Sequence, residues 1–252
     1  MQEGSNSIQV IERAARLLDV IAEYEDPVSL KIVSAETGLH PSTAFRILSS
    51  LAEQGFVERT ARGNYQLGIK LMQLGNRVSA KVDIRKVALP LMEDLRDHLG
   101  ETVNLTVREN DEVVYIERTL AKRMIRVEQV IGSRAPLHVT AVGKMMLGDQ
   151  GDAACRSYAK RSKLPAYTIN THTKITALLQ DCIGAAERGY ALDNEEAELG
   201  VGCIGTLVRD ASGHVVAGLS VSAPIDRRRD EWIEQVMKTG QQLSKQLGYH
   251  AT

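Results

Sequence analysis

Cysteine, aromatic residues and long apolar runs are scarce in this chain of 252 residues. Its three cysteines, Cys155, Cys182 and Cys203, form no CxxC pair. This argues against a zinc ribbon and a disulfide scaffold, and it predicts a reducing, cytoplasmic environment. Because no run reaches about 18 apolar residues, we expect neither a transmembrane helix nor a membrane partner. The first residues also lack the basic-then-apolar layout of a signal peptide.

Neither sign of charge dominates, since 31 basic and 32 acidic residues give a net charge of −1. The local distribution is uneven: residues 1–39 carry three basic and seven acidic residues, whereas residues 40–77 carry five basic and two acidic ones. Basic side chains neutralise DNA phosphates, so a nucleic-acid interface is expected in the second segment. The length suits two domains, and the 43% hydrophobic and 25% charged shares are ordinary for a folded protein.

Residues 1–68 have the pattern of a winged helix-turn-helix. A helix is predicted at 8–25, a second between Ser29 and Gly38, and a third from Pro41 to Gly55. Short strands on either side of a basic turn at 60–64 then predict a hairpin. In this motif the third helix enters the major groove. The alternative, a helical bundle with a solvated polar face, leaves the hairpin unexplained. The residues predicted to contact double-stranded DNA are Ser42, Thr43, Phe45 and Arg46 on the third helix, and Arg59 and Arg62 on the hairpin.

Residues 69–82 predict a linker helix with Leu71, Leu74 and Val78 on one apolar stripe. The stripe packs either on a second copy, as a dimer on a palindromic DNA site requires, or on its own N-terminal domain.

Residues 83–252 mix helices and strands, which predicts an α+β domain. Strands are expected at 102–107, 113–116, 125–130, 201–208 and 215–223, and helices at 83–99 (broken at Pro90), from Thr140, at 174–188 and at 230–247.

Six motifs in order resemble those of one family, the IclR family of bacterial transcription regulators. They are Gly38–Thr43, Leu67–Gly68, Leu137–Lys144, Arg188–Glu196, Gly202–Ile204 and Gly218–Ser222, and the resemblance extends from about residue 8 to residue 248. It implies a winged helix-turn-helix, a linker helix and a GAF-like effector domain. It also implies a homodimer, often a dimer of dimers, on operator DNA. Within the family, Asp193–Glu196 and Leu247–His250 resemble the ketodeoxygluconate regulators.

The residues themselves predict a site for a small organic acid. Thr140 is a good N-cap, so the amides of Ala141 and Val142 begin a helix without intrahelical partners and favour an anion. Ser220 and Ser222 lie two apart on a strand and point to one face. Asp193 can accept a hydrogen bond from a hydroxyl of the same ligand. The resemblance assigns ligand contacts to Ala141, Val142, Asp193, Cys203, Ser220 and Ser222, and an apolar wall to Met124 and Val127.

Signatures of enzymes are missing. Gly143-Lys144 is followed by Met145, so it does not end a P-loop, and Gly218–Ser222 lacks the second glycine of a nucleophile elbow. No histidine or cysteine spacing matches a zinc site. We therefore predict a ligand-responsive repressor of a catabolic operon, with no enzymatic activity, cofactor or metal. The alternative is a GAF-like ligand-binding or catalytic domain whose N-terminal module binds a protein instead of DNA.

Overall fold

The computed structural model describes residues 8–79 and 83–250, and the chain divides into two compact units between residues 82 and 83. Unit 1 is built from three helices, a hairpin and a fourth helix. These are α1 (Gln9–Ala22), α2 (Leu30–Thr37), α3 (Pro41–Glu53), β1 (Val57–Arg59), β2 (Tyr65–Leu67) and α4 (Ile69–Ser79). The hairpin is antiparallel, with Val57 opposite Leu67. Its core gathers apolar residues of α1, α2 and α3 around the buried Tyr65.

Local contacts fix the ends of these elements. The Ser29 side chain accepts a hydrogen bond from the Ile32 amide at 3.4 Å and begins α2, and Gly38 ends it with a φ of 66°. At Gly68, a Cβ atom would lie 2.2 Å from the Gly55 carbonyl oxygen, so only glycine fits where the hairpin passes the end of α3. The predicted helices and hairpin are confirmed, although α1 already ends at Ala22 and α3 at Glu53.

Unit 2 is an antiparallel sheet with helices on both faces. Its elements are α5 (Ile84–Leu99), β3 (Thr102–Glu109), β4 (Glu112–Thr119), β5 (Arg134–Pro136), a 3-10 turn (Leu137–Val139), α6 (Ala141–Asp149), α7 (Asp152–Ser162), α8 (Ile175–Arg188), β6 (Ala191–Asn194), β7 (Val201–Arg209), β8 (Val215–Pro224) and α9 (Trp232–Gln246). The six strands lie in the order β5-β4-β3-β8-β7-β6. The predicted α+β class is confirmed.

The two faces of the sheet differ in chemistry. One face packs apolar residues of β3, β7 and β8 against α5 and α9. The opposite face lies against α6, and it carries buried polar side chains that alternate along β3 and β8 with those of the apolar face. They are Thr102, Asn104, Thr106, Ser220 and Ser222. Since sheet residues two apart share a face, this row is a continuous polar surface inside the domain.

The structure corrects three predictions of secondary structure. Residues 120–133 form neither helix nor strand, so the strand expected at 125–130 is wrong; the apolar side chains of Ile125 and Val130 in this segment are exposed. Helix α5 continues through Pro90 instead of breaking. The prediction also missed α7 and β6, because α7 has a largely polar sequence and β6 is only four residues long. Among the described residues, no helix is long and apolar enough to cross a membrane.

Candidate nucleic-acid interface and ligand site

Helix α3 presents one face to its own core and the other to solvent. Ala44, Ile47 and Leu48 are buried, which orients the opposite side of the helix outward. Ser42 and Arg46 are exposed and Thr43 is half-buried on that side. At the amino end, His40 is the N-cap, and its Nδ1 lies 2.8 Å from Ser42 Oγ. The guanidinium of Arg46 forms no ion pair or hydrogen bond with any described residue, so it is free for an outside partner.

The hairpin places a second cation beside the same face. The Arg59 guanidinium lies 5.7 Å from the ring centroid of Phe45 and 5.8 Å from that of Tyr65, a cation–π arrangement. This contact accounts for Phe45, whose side chain is only partly exposed. Arg62, at the hairpin turn, is exposed and has no ion-pair partner among the described residues. The structure therefore brings Phe45 and Arg59 together and leaves Arg62 at the tip.

In unit 2, the amino end of α6 lies directly on the sheet. A Cβ atom on Gly205 would lie 2.9 Å from the Val142 backbone nitrogen, and one on Gly218 would lie 2.7 Å from Val142 Cβ. Two glycines in neighbouring strands thus allow the helix to approach. The Thr140 hydroxyl accepts from the Gly143 amide at 3.2 Å. The amides of Ala141 and Val142 form no hydrogen bond with the described residues, and an unpaired helix amino end attracts negative charge.

The polar row continues from this helix end across three strands. Asp193 on β6 is paired with Cys203 on β7, and Cys203 with Ser222 on β8. Ser222 Oγ accepts from Asn104 Nδ2 at 3.1 Å and lies 3.2 Å from Cys203 Sγ. Asn104 is fully buried, and its Oδ1 has no hydrogen-bond partner among the described residues. Ser220 lies one row away, opposite Asn104 on β3 and Gly205 on β7. A buried unpaired carbonyl oxygen is costly, so this surface is suited to a polar ligand.

The electrostatics of the site centre on one carboxyl group. Asp193 is buried, and burial raises its pKa to about 6, against the opposing effect of a hydrogen bond from the Glu196 amide to Asp193 Oδ1 at 2.8 Å. Burial also raises the pKa of the Cys203 thiol and of the Tyr115 phenol. Tyr115 on β4 lies close enough for the charge of Asp193 to contribute to its shift. Near neutral pH, Asp193 therefore changes protonation while the thiol and the phenol stay neutral.

The structure brings six of the eight predicted ligand-site residues into this region. Ala141 packs in a small apolar cluster that Cys203 contacts, and Ser220, Ser222, Asp193 and Val142 lie around it. Met124 does not join them, because it is fully exposed in segment 120–133. Val127, half-buried in that segment, belongs to none of the apolar clusters that the described residues of unit 2 form.

A cavity of about 560 Å³ lies towards the carboxyl end of α6, and none of the six residues lines it. Asn104, Thr106 and Tyr115 also lie on the polar face, and none of them was among the predicted site residues. Alternation of polar and apolar residues in 102–107 was the available signal; it predicted a strand there, but not that the polar side of the strand is buried.

Behind the site lies a cluster of charges. Lys144 of α6 is fully buried, and its Nζ donates to Asp181 Oδ2 at 2.7 Å and to Glu196 Oε1 at 2.6 Å. His172, Asp181 and Glu196 form the one group of described residues whose ligand atoms lie within 4.8 Å of one another as for a metal ion. The Lys144 ammonium already takes the place of a cation there. His138 is a buried structural residue, with Nδ1 2.7 Å from Tyr158 Oη.

Comparisons with known proteins identify the same family for both units of the chain. A family model described as the bacterial transcriptional regulator IclR C-terminal domain matches residues 76–247, and one described as the IclR helix-turn-helix domain matches residues 10–61. The HTH-type transcriptional regulator XynR of Escherichia coli (strain K12) is 33% identical over 249 residues, which span 97% of this chain and 99% of that protein.

Two solved structures extend the comparison to three dimensions. The Agobacterium tumefaciens repressor BlcR has 29% sequence identity and a TM-score of 0.79, with 98% of this chain and 100% of that chain covered. An IclR homolog from Microbacterium hydrocarbonoxydans, complexed with 4-hydroxybenzoate, has 25% identity and a TM-score of 0.62, with 94% and 98% covered.

Proposed function

The chain belongs to the IclR family of bacterial transcriptional regulators, which are not enzymes, and from this premise we propose that it represses a catabolic operon under the control of a small organic acid. One observation carries the proposal: a buried polar face of the sheet, with Asn104 Oδ1 unpaired, meets the free amides of a helix amino end. An interior of this kind is destabilising unless a polar ligand fills it. Because the partner of unit 1 is operator DNA, the protein works in the cytoplasm.

The ligand orientation follows from the charges that line the site. The amides of Ala141 and Val142 and the Ser220 hydroxyl supply donors, so we place the carboxylate of the acid there. A carboxylate next to Asp193 would be repelled. A hydroxyl group of the acid therefore faces Asp193 and Asn104, whose carboxylate and Oδ1 oxygens can accept its hydrogen bond. The 4-hydroxybenzoate bound by the Microbacterium protein also carries a carboxylate and a hydroxyl group, which supports this class of ligand.

The DNA contacts follow from the exposed faces of α3 and the hairpin. Ser42, Thr43 and Arg46 face outward on the helix that enters the major groove in this motif. Arg62 at the hairpin turn and Arg59 beside it are in position to contact phosphates. Phe45 offers the part of its ring that Arg59 leaves open to a thymine methyl group.

A dimer explains the surface of α4. Ile69, Met72 and Leu74 are exposed on this helix, and Leu71 is half-buried; the Val78 side chain lies outside the described residues. Three large apolar side chains on an exposed helix favour burial against another surface. A second copy is the occupant that a two-fold symmetric operator requires, and we propose that α4 packs on α4 of that copy.

The test uses the full chain and the DNA upstream of its own gene. Fluorescence anisotropy at fixed salt measures binding, first without ligand and then with pyruvate, lactate and 4-hydroxybenzoate as probes. We expect sequence-specific binding that at least one of these acids changes, while its amide does not. Binding to the upstream DNA that equals binding to unrelated DNA would contradict the proposed repressor.

A further inference from the structure

Lys144 lies at a position where a lysine is unusual. Helix α6 is apolar around it, with Met145, Met146 and Leu147 next in the chain, and all four residues are buried. An ammonium group inside a protein is costly unless hydrogen-bonded carboxylates neutralise it. Asp181 of α8 and Glu196, which follows β6, are those carboxylates. Lys144 therefore ties α6 both to α8 and to the segment that carries Asp193.

The turn from Asp193 to Glu196 is closed by its own hydrogen bonds. Asp193 Oδ1 accepts from the Glu196 amide at 2.8 Å. Glu196 Oε1, the oxygen to which Lys144 donates, also accepts from the Asn194 amide at 3.3 Å. Its Oε2 has no partner among the described residues, so the Lys144 contact and the Asn194 contact fix this side chain. The position of the Asp193 carboxyl thus depends on where Glu196 is held.

Backbone strain shows that the turn is held from outside. Glu195 has a φ of 60°, in the left-handed region that non-glycine residues rarely adopt. Such strain persists where surrounding contacts over-determine the conformation. Thr168 Oγ1 donates to the Glu195 carbonyl at 2.6 Å and Thr171 Oγ1 to the Glu196 carbonyl at 2.7 Å, from the segment before α8. Lys144 makes the corresponding contact from α6, because its ammonium group donates to Glu196 Oε1.

We propose that Lys144 is a positioning residue of the ligand site: through Glu196 it holds the 193–196 turn so that the Asp193 carboxyl stays fixed across from the amino end of α6. The inference rests on the proposed function and deepens it, since it identifies the residue that fixes the Asp193 carboxyl relative to the amino end of α6. Helix α6 carries both Lys144 and the amides that would bind the acid. A shift of this helix is therefore transmitted to Asp193.

The groups around the two ends of this link are charged or titratable. Asp193 faces Glu196 on its own turn, Cys203 on β7 and Tyr115 on β4, and Arg228 Nη1 donates to the Asp193 carbonyl at 3.1 Å.

At the other end, Asp181 accepts from Arg188 Nη2 at 3.1 Å and lies 3.3 Å from His172 Nε2. The charge of Glu196 raises the pKa of Asp193 and that of Lys144 lowers it. Hydrogen bonding and charge can therefore be separated by substitution.

Two variants isolate the hydrogen bond of Lys144. Glu196→Gln keeps an acceptor for Lys144 and for the Asn194 amide but removes a negative charge. Lys144→Met alone would leave Glu196 buried and unneutralised, so the lysine is removed in the double variant Lys144→Met/Glu196→Gln, which creates no unpaired charge at Glu196. Lys160→Met is the control, because Lys160 is an exposed lysine of α7 without an ion-pair partner among the described residues.

Hydrogen exchange of the full chain, measured by NMR, tests without any ligand whether Lys144 fixes the 193–196 turn. We expect the Asn194 and Glu196 amides to exchange at least about tenfold faster in the double variant than in Glu196→Gln, as for the loss of a hydrogen bond to a charged group. The Lys160→Met control should match the parent. Equal rates in the double variant and in Glu196→Gln would overturn the proposal.

Two further readouts separate this proposal from the proposed function. The pH midpoint of the Asp193 carboxyl carbon should be lower in Glu196→Gln than in the parent, because a neighbouring negative charge is gone; an unchanged midpoint would contradict the coupling. Affinity for lactate, whose hydroxyl can donate to Asp193, should fall in the double variant and not in Glu196→Gln. If neither pyruvate, lactate nor 4-hydroxybenzoate binds the parent, the ligand class is wrong, and the exchange rates still decide whether Lys144 positions Asp193.

Discussion

Asp193→Asn should make unit 2 more stable at neutral pH and leave its stability nearly unchanged in acid. Burial raises the pKa of Asp193 to about 6 from an ordinary value of 3.8. The ionised carboxylate is thus less favourable in the folded than in the unfolded protein, and the difference corresponds to roughly 3 kcal/mol. Asparagine keeps an oxygen that can accept from the Glu196 amide, so the substitution removes the charge and retains the hydrogen bond.

The sign of the pH dependence follows from the raised pKa. Below 3.8, Asp193 is protonated in both states and the raised pKa has no unfavourable effect. As the pH rises from there through about 6, the unfolded state releases its proton first, and the parent progressively loses stability relative to the variant. The advantage of Asp193→Asn should therefore grow over this interval and be constant at higher pH.

Urea unfolding followed by tryptophan fluorescence measures this difference in the full chain. Trp232, the single tryptophan, belongs to α9 and reports on unit 2. The free energy of unfolding of variant and parent is compared at pH 4 and pH 7.5, with Asp226→Asn as a control because Asp226 is exposed. The reasoning is refuted if Asp193→Asn has the same effect at both pH values, or if it destabilises the protein at pH 7.5.

The DNA surface gives predictions for two substitutions, and the ligand site and the dimer surface give predictions for one substitution each. Arg46→Ala should weaken operator binding by about 1–3 kcal/mol in anisotropy measurements, whereas Arg62→Ala should mainly reduce the salt dependence, by a slope of about 1; unchanged affinity in Arg46→Ala would remove it from the interface. Ser220→Ala should weaken an acid ligand more than its neutral amide, because a hydrogen bond to a charged group contributes about 1.5–3 kcal/mol. Calorimetry that shows equal losses would contradict the carboxylate orientation. Leu74→Glu should lower the mass found by light scattering from dimer to monomer, because a charge is costly in an apolar contact; an unchanged mass would mean that the stripe packs within one chain.

Unit 1 could be predicted closely from the sequence because its signals are local. Ser29 and Gly38 are ordinary helix start and stop residues, and the α3 face follows from helical spacing alone. Phe45 was predicted to contact DNA from the third helix. Only the structure shows that Arg59, fourteen residues further along, lies over its ring, because that contact depends on how the hairpin folds back.

The proposed ligand site could be predicted only in part because it depends on pairing between distant strands. The helix start at Thr140 is a local signal and was found, and so was the shared face of Ser220 and Ser222. That Asn104 joins them requires the β3–β8 pairing, which brings together residues more than a hundred positions apart. The exposure of Met124 could not be inferred either, since its apolar neighbours indicated a strand in a segment that forms none.

The polar face of the sheet also explains why this interior is better suited to binding than to stability. Strands β3 and β8, which carry the polar row, direct Val103, Leu105 and Val221 into the opposite core, where they are almost fully buried. Apolar residues in the alternating positions would stabilise the fold further, since replacing both partners of a buried polar contact by apolar groups is often neutral or favourable. The strands instead keep Asn104, with one unpaired oxygen, beside α6. Polar groups retained at a cost to stability are typical of functional sites. A ligand that satisfies them should stabilise unit 2 by an amount that grows with the logarithm of the ligand concentration above its dissociation constant.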